Sequence, residues 1–171
     1  MIDLFASDRN HQLPTFCTWL PSERALAVDA FSIDWTGMIA YAYPPICLIP
    51  RLLLQMRHQH CRVLLIAPMW PRRTWFPDLL RLLTNCPLVL PERADLLRQP
   101  KGQFYHPAPG ILRLSAWPLS SWPGEHQAFL EELNVWWRQP SAQVRGRTIS
   151  PNMVYSEIGV VNKTSIPALF L

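Results

Sequence analysis

Glycine is scarce in this chain. Six occur among 171 residues, and none precedes Gly37. A glycine-rich phosphate turn after a first strand near the N-terminus is therefore excluded. Charge is scarce as well: Asp, Glu, Lys and Arg make up 16% of the residues, against about a quarter in ordinary soluble domains. The four cysteines, Cys17, Cys47, Cys61 and Cys86, are irregularly spaced and form no C-x-x-C pair. That spacing argues against a zinc ribbon or a redox dithiol and predicts free, buried thiols. No run of 18 apolar residues occurs, so no membrane span is expected. Met1-Ile2-Asp3 opens without a basic stretch, so no signal peptide is expected, and an intracellular location follows by elimination.

What is present is apolar residues (49%) and proline, 18 in all. The length suits one domain, or one domain with an appended tail. A large apolar share with little charge suggests a domain from a larger protein, with surface that a neighbour covers. Charge is also unevenly placed. Residues 1–43 hold Asp3, Asp8, Glu23, Asp29 and Asp34 against Arg9 and Arg24, whereas residues 44–81 hold Arg51, Arg57, Arg62, Arg72, Arg73 and Arg81 against Asp78. A basic central segment fits a polyanionic partner, although solvated arginines flanking two helices explain the same counts.

Residues 38–70 organise the chain. Met38 to Tyr43 reads as a strand stopped by Pro44-Pro45. Ile49, Leu52, Leu53 and Met56 then recur at i, i+3, i+4 and i+7, the stripe of an amphipathic helix with Pro50 in its first turn. Arg62 to Ala67 is a continuous apolar strand, of the kind buried on both faces, stopped by Pro68-Met69-Trp70. A helix joining two such strands makes a βαβ unit with parallel strands. In these sheets the functional crevice lies past the carboxyl ends of the strands, so the turns at Tyr43-Pro44-Pro45 and Pro68-Met69-Trp70 are expected to frame a site.

Around this unit, Ile2 to Ala6 reads as a first strand, and Leu13 to Trp19 as an edge strand broken by Pro14. Asn10 and His11 sit in the turn between them. Asp29 and Asp34 lie in turn-like surroundings, where carboxylates commonly cap backbone amides. Thr74 is an expected N-cap for a second helix whose stripe, Trp75, Leu79, Leu82 and Leu83, runs to Thr84-Asn85. Pro87 to Leu90 reads as a third strand of the parallel type, and Ile111 to Trp117 as a last, edge strand. Glu92 to Gly110 reads as loop. His58-x-His60-Cys61 lacks a second ligand pair and is explained by a helix end leading into a strand. Pro118 to Gly124 is a breaker cluster, which sets a boundary between residues 1–122 and 123–171. Helical spacing recurs over Gln127 to Trp137, and residues 141–171 carry little pattern and are expected to be weakly ordered. The class expected is α/β: a mostly parallel sheet with helices on both faces, a C-terminal helix and a tail.

Asp3-Leu4-Phe5-Ala6-Ser7, Asn10, Gln12-Leu13-Pro14, Trp19, Asp29-Ala30-Phe31, Asp34-Trp35, Tyr43-Pro44-Pro45, Ile49, Pro68-Met69-Trp70, Trp75 and Leu114-Ser115-Ala116-Trp117-Pro118-Leu119 follow one another in order. Over residues 2–122 this series resembles the methyltransferase-like segment of DIRS-type (tyrosine-recombinase) retrotransposon polyproteins, which follows reverse transcriptase and RNase H. That segment is in turn similar to phage-type adenine-N6 DNA methyltransferases. The resemblance implies a Rossmann-like sheet and S-adenosylmethionine as the cofactor of any active form. It also implies a catalytic turn of Asp or Asn, Pro, Pro and an aromatic, whose polar groups accept from the adenine amino group while the ring stacks on a flipped base.

Carried over, the catalytic turn is Tyr43-Pro44-Pro45-Ile46. Tyr43 stands where the amide or carboxylate belongs and Ile46 where the ring belongs, so no methyl transfer and no bound cofactor are expected. Asp3 and Asp29 are acids that could stand at cofactor-binding positions. Arg51, Arg57, Arg72 and Arg73 could contact phosphates of DNA or RNA, with Tyr43, Trp70 and Trp75 stacking on bases, although ordinary core packing is the alternative for these aromatics, and more so for Trp75 than for Trp70. Three functions follow. The first is a degenerate methyltransferase-like domain serving as spacer or nucleic-acid-binding module beside neighbouring polyprotein domains. The second is an active adenine-N6 methyltransferase, and the third an open-reading-frame remnant.

Overall fold

The computed structural model describes residues 1–91, 93, 97 and 109–138, with strands at 155–161 and 164–170 described as backbone only. In chain order the elements are β1 (Ile2–Ala6), β2 (Phe16–Thr18), β3 (Ala27–Val28), β4 (Ile39–Ala42), α1 (Ile49–His58), β5 (Arg62–Pro68), α2 (Phe76–Leu80), β6 (Leu88–Val89), α3 (Pro109–Leu112), β7 (Leu114–Ser120), α4 (Glu125–Arg138), β8 (Tyr155–Val161) and β9 (Thr164–Phe170). Single 3₁₀ turns lie at Ala30–Ser32 and Ile46–Leu48.

The class is α/β with a mixed sheet. Seven strands run in the order β3-β2-β1-β4-β5-β7-β6, and β9 and β8 extend the row past β6. The pairs from β3 to β5 are parallel. β7 is antiparallel to both β5 and β6, so β6 points the same way as β5 with a reversed strand between them.

Period-two alternation explains which face is buried. Ala40 and Ala42 sit opposite Val63 and Leu65, and Trp117 and Leu119 of β7 sit opposite Leu65 and Val63. All six are buried, as is the α1 stripe of Ile49, Leu52, Leu53 and Met56. Phe76 of α2 meets Trp117 edge to face at 5.6 Å, which places α2 on the same side. The indole Nε1 of Trp117 donates to the Ala67 carbonyl at 3.0 Å, so this buried polar atom has its partner. The opposite face of β4 and β5 carries Ile39, Tyr41, Leu64 and Ile66. Ile39 is 52% exposed and Leu64 37%. β5 is thus buried on one face, not two.

The expectation of helices on both faces is corrected for a reason visible in the connections. Residues 7–15 and 19–26 join parallel strands without any helix. They carry Pro14 and Pro21 and are too short for the usual helical crossover. The first connection instead folds against the sheet, where His11 stacks on Phe16 at 4.5 Å. β2 is interior because the two-residue β3 forms the edge.

Three other expectations change. α2 spans five residues, starts from Trp75 and has no side-chain cap from Thr74. Leu82 and Leu83 are still buried, because the chain after α2 leaves the helix and lies against β7, with Leu83 bridged to Leu119. Ile111 and Leu112 belong to α3, and β7 begins at Leu114 as an interior strand. Finally, β7 runs through Pro118 to Ser120. The Pro118 carbonyl accepts from Thr84 N at 3.0 Å, on the side away from β5. A residue's N–H and C=O point to the same side of an antiparallel strand, so the amide that proline lacks is not missed by the β5 ladder.

α4 buries Phe129, Leu130 and Leu133. Its first turn is tied down by Arg62, whose guanidinium grips Glu125, and by His126 Nδ1, 2.7 Å from the Leu83 carbonyl. β8 and β9 form a hairpin, and β9 pairs in parallel with β6. Of the tail expected to be weakly ordered, residues 141–154, 162, 163 and 171 lie outside the described residues, as does most of the loop read at 92–110. Among the described residues no helix is long and apolar enough to cross a membrane.

The one-sided burial has a direct test. We expect Leu65→Ala to cost about 2–5 kcal/mol of unfolding free energy, and Leu64→Ala, on the open face, less than about 1 kcal/mol. Urea denaturation of the two variants measures both. Equal losses would show that the open face is covered.

Candidate functional site

A cleft of about 680 Å³ lies across the carboxyl edge of the parallel strands. Each strand exit contributes to its wall. Leu4, Phe5 and Ala6 come from β1, Thr18 and Trp19 from the end of β2, and Asp29 to Phe31 from the turn after β3. Tyr43, Pro44 and Pro45 follow β4, and Pro68 ends β5. Leu112 and Leu114 close the far side, where antiparallel β7 begins opposite Pro68. The chain leaves β1 to one side for β2 and later returns to its other side for β4. Such a reversal parts the loops above the sheet and opens a crevice there.

The Tyr43-Pro44-Pro45 turn stands at the cleft. Tyr43 is 40% exposed, and partial burial pushes its phenol pKa up. The Pro45 carbonyl accepts from Leu48 N at 2.8 Å and starts the 3₁₀ turn that feeds α1. Ile46, in the wall beside it, offers no ring and no polar group.

Arg51, in the first turn of α1, holds its guanidinium 3.9 Å above the Phe31 ring, and both line the cleft. No carboxylate among the described residues pairs with it. Phe31 is fixed in turn by Phe5 at 5.5 Å and Trp35 at 5.8 Å. Asp29 forms part of the same wall with φ at +66°, a backbone region that costs a non-glycine residue free energy. Four bonds hold it there. Asp29 N donates to the Thr18 carbonyl, its Oδ1 accepts from Phe31 N at 3.0 Å, and its own carbonyl accepts from both Ser32 N and Ser32 Oγ. Asp34 likewise accepts from Thr36 N and Oγ1, which lowers its pKa. Both aspartates therefore cap local backbone.

The other residues singled out in the sequence separate. Asp3 is buried beneath the β1–β2 connection, and its Oδ2 accepts from Gln12 N at 2.9 Å. It does not line the cleft. Burial raises its pKa, partly offset by hydrogen bonds from the Gln12 and Phe5 amides. Arg57 lies near the far end of α1 and pairs with Asp78 at 3.6 Å, which also takes Arg81 at 3.0 Å. Trp70, Arg72 and Arg73 follow the β5 exit outside the cleft wall. Arg72 and Arg73 are exposed, and the Arg73 guanidinium sits 5.1 Å from the Trp70 ring. Trp75 is core.

Three aromatic wall residues have no site role assigned from the sequence: Phe5, Trp19 and Phe31. The available signal was position, an aromatic at or near the end of a β-segment. Asn10, also in the wall, braces the β1 exit by accepting from Ser7 N at 2.7 Å and Ser7 Oγ at 2.8 Å. The cysteines are free, but Cys47 is exposed and Cys86 half-buried, contrary to the expectation of burial for all four. His60 stacks on Trp122 at 5.3 Å. Among the described residues no three His, Cys, Asp or Glu side chains are placed to hold a metal ion.

Chemically the cleft offers flat rings, one planar cation without a carboxylate partner, one capped carboxylate and a phenol. Comparison of the chain with protein-family models, with curated proteins and with solved structures returned no match.

Asp3 yields a pH test. Its pKa is raised on folding, so between its ordinary value near 3.8 and the raised one the native state binds more protons than the unfolded state. Stability therefore falls as pH rises through that window and stays lower above it. We expect Asp3→Asn to raise Tm at pH 7 and to leave it nearly unchanged at pH 3. Thermal melts at the two pH values read the difference, and a lower Tm at pH 7 would show that the hydrogen bonds outweigh desolvation.

Proposed function

We propose that this chain is a methyltransferase-like domain that has lost methyl transfer and binds nucleic acid across its carboxyl-edge cleft. In this reading it is part of a retrotransposon polyprotein, beside reverse transcriptase and RNase H, and works inside the cell. The observation that carries the proposal is the position of the cleft. It lies over the exits of β1 and β4 in a row ordered β3-β2-β1-β4-β5. Doubly wound nucleotide-binding sheets share that strand order and a crevice at the reversal, which supports the Rossmann-like reading that the resemblance implies, although the connections flanking β2 carry no helix here.

The loss of activity follows from chemistry at the turn. A tyrosine at position 43 presents a hydroxyl at the end of a ring, several ångströms further out than a carboxamide oxygen. It cannot accept from a base amino group in the same geometry. Ile46 gives no stacking surface, and the β1 exit has no glycine to admit a cofactor's backbone-close approach. Binding needs less. Arg51, Arg72 and Arg73 stand at one edge of the sheet, where α1 begins and β5 ends, and can line up phosphates. Arg57, paired with Asp78, is left out of that set.

The alternative is an active S-adenosylmethionine-dependent adenine-N6 methyltransferase. It draws on Asp29, an acid in the cleft wall where a cofactor hydroxyl could be bound. Stabilisation by S-adenosylmethionine in a thermal melt, or methyl transfer to adenine-containing DNA from labelled cofactor, would decide for it. We expect neither.

Binding to a labelled oligonucleotide should weaken steeply with salt, since each neutralised phosphate releases counterions. We expect the Arg72→Ala/Arg73→Ala double variant to reduce the slope of log K against log salt by about 2, near one per lost contact. Binding that is absent, or insensitive to salt, would sink the proposal.

A further inference from the structure

Trp19 is 73% exposed, an exposure matched among the described large hydrophobic side chains only by Ile111, and unlike Ile111 it stands in the cleft wall. Tryptophan is ordinarily well buried, so an indole left in water beside a cavity is informative. It is not on a loose loop. Its neighbour Thr18 is buried, and the Thr18 hydroxyl both donates to the Leu20 carbonyl at 2.8 Å and accepts from Leu20 N at 3.0 Å. The Thr18 carbonyl is held by Asp29 N at 2.7 Å. The backbone on either side of Trp19 is therefore fixed, and the ring is presented to the cleft mouth at little entropic cost.

Across β1, Tyr43 leaves β4 at the same edge. Two strand spacings, roughly 10 Å, separate the exits of β2 and β4. That gap admits one planar base, with a ring available on either side, and is far narrower than a base-paired duplex. In the same cleft wall, the Arg51 guanidinium stands over the Phe31 ring at 3.9 Å with its charge unpaired by any described carboxylate.

We infer that the cleft receives one unpaired base of a single-stranded nucleic acid, with Trp19 as the stacking platform at its mouth and Arg51 on the adjoining phosphate. This rests on the nucleic-acid reading above and narrows it: duplex is not the ligand. The arginines past β5 then track the backbone as it leaves the cleft, while stacking makes the site tolerant of base identity.

The test is fluorescence anisotropy of the full chain with a labelled 12-nucleotide single strand and with the same sequence as a duplex. We expect the single strand to bind at least about tenfold more tightly. Trp19→Ala should weaken single-strand binding about 5- to 100-fold, and Trp19→Phe should keep most of it. Trp122→Ala removes a part-exposed indole at the opposite edge of the sheet and should change nothing. The comparison of strand with duplex needs no variant, so it stands even if a substitution harms folding. Duplex binding equal to or tighter than single-strand binding overturns the inference and leaves the nucleic-acid proposal intact. So does an unchanged affinity in folded Trp19→Ala. Failure to bind either form removes both.

Discussion

The structure depends on one clamp: α1 pressed onto the parallel pair β4 and β5. Ile49, Leu52, Leu53 and Met56 lie over Ala40, Ala42, Val63 and Leu65, and all are buried. Burial of each large side chain is worth about 1.5–3 kcal/mol as an upper estimate. The ion pairs Arg57–Asp78, Arg81–Asp78 and Arg62–Glu125 lie at the surface, where such pairs contribute about 0–1 kcal/mol each. Apolar packing on a single face therefore decides the fold.

Two tryptophans extend the clamp to the cleft. Trp117 joins β7 to β5 through its bond to the Ala67 carbonyl, one residue before the β5 exit. Trp35 donates to the Ala30 carbonyl at 2.8 Å, and its own amide donates to Gln59 Oε1 at 2.8 Å. It thus ties the wall segment Asp29–Phe31 to the end of α1. A buried indole N–H without a partner costs about 1–3 kcal/mol, so these bonds hold the exits in fixed places. The left-handed Asp29 is affordable only because this frame over-determines it.

The βαβ unit, the α1 stripe and the two proline turns were legible because each is written in local periodicity and local stops. The cleft was legible to the same extent, since it follows from where parallel strands end. What a linear pattern does not contain is the choice of neighbour. The insertion of β7 between β5 and β6 depends on Trp117 and Leu119 fitting beside Leu65 and Val63, which only the folded sheet brings together. The same limit explains the site residues. Arg51 and Arg57 look alike in sequence, but about one and two-thirds turns of helix carry the second toward Asp78 and away from the cleft. Asp3 looked like a ligand because it is an acid on a first strand. Its side chain falls beneath the β1–β2 connection and is used to close it. Trp19 went unassigned because nothing local distinguishes an exposed aromatic from a buried one.

Pro118 has one further consequence. Its missing amide is harmless only while it faces the Thr84 side of β7. Shift β7 by one residue against β5 and the proline ring turns toward the ladder, where a hydrogen bond is lost, while Trp117 swings out to the open face of the sheet. Both penalties act together and only in the wrong alignment. The proline is thus a ratchet on strand register: it leaves the native pairing untouched and penalises the nearest mispairing, which a strand this apolar would otherwise accept.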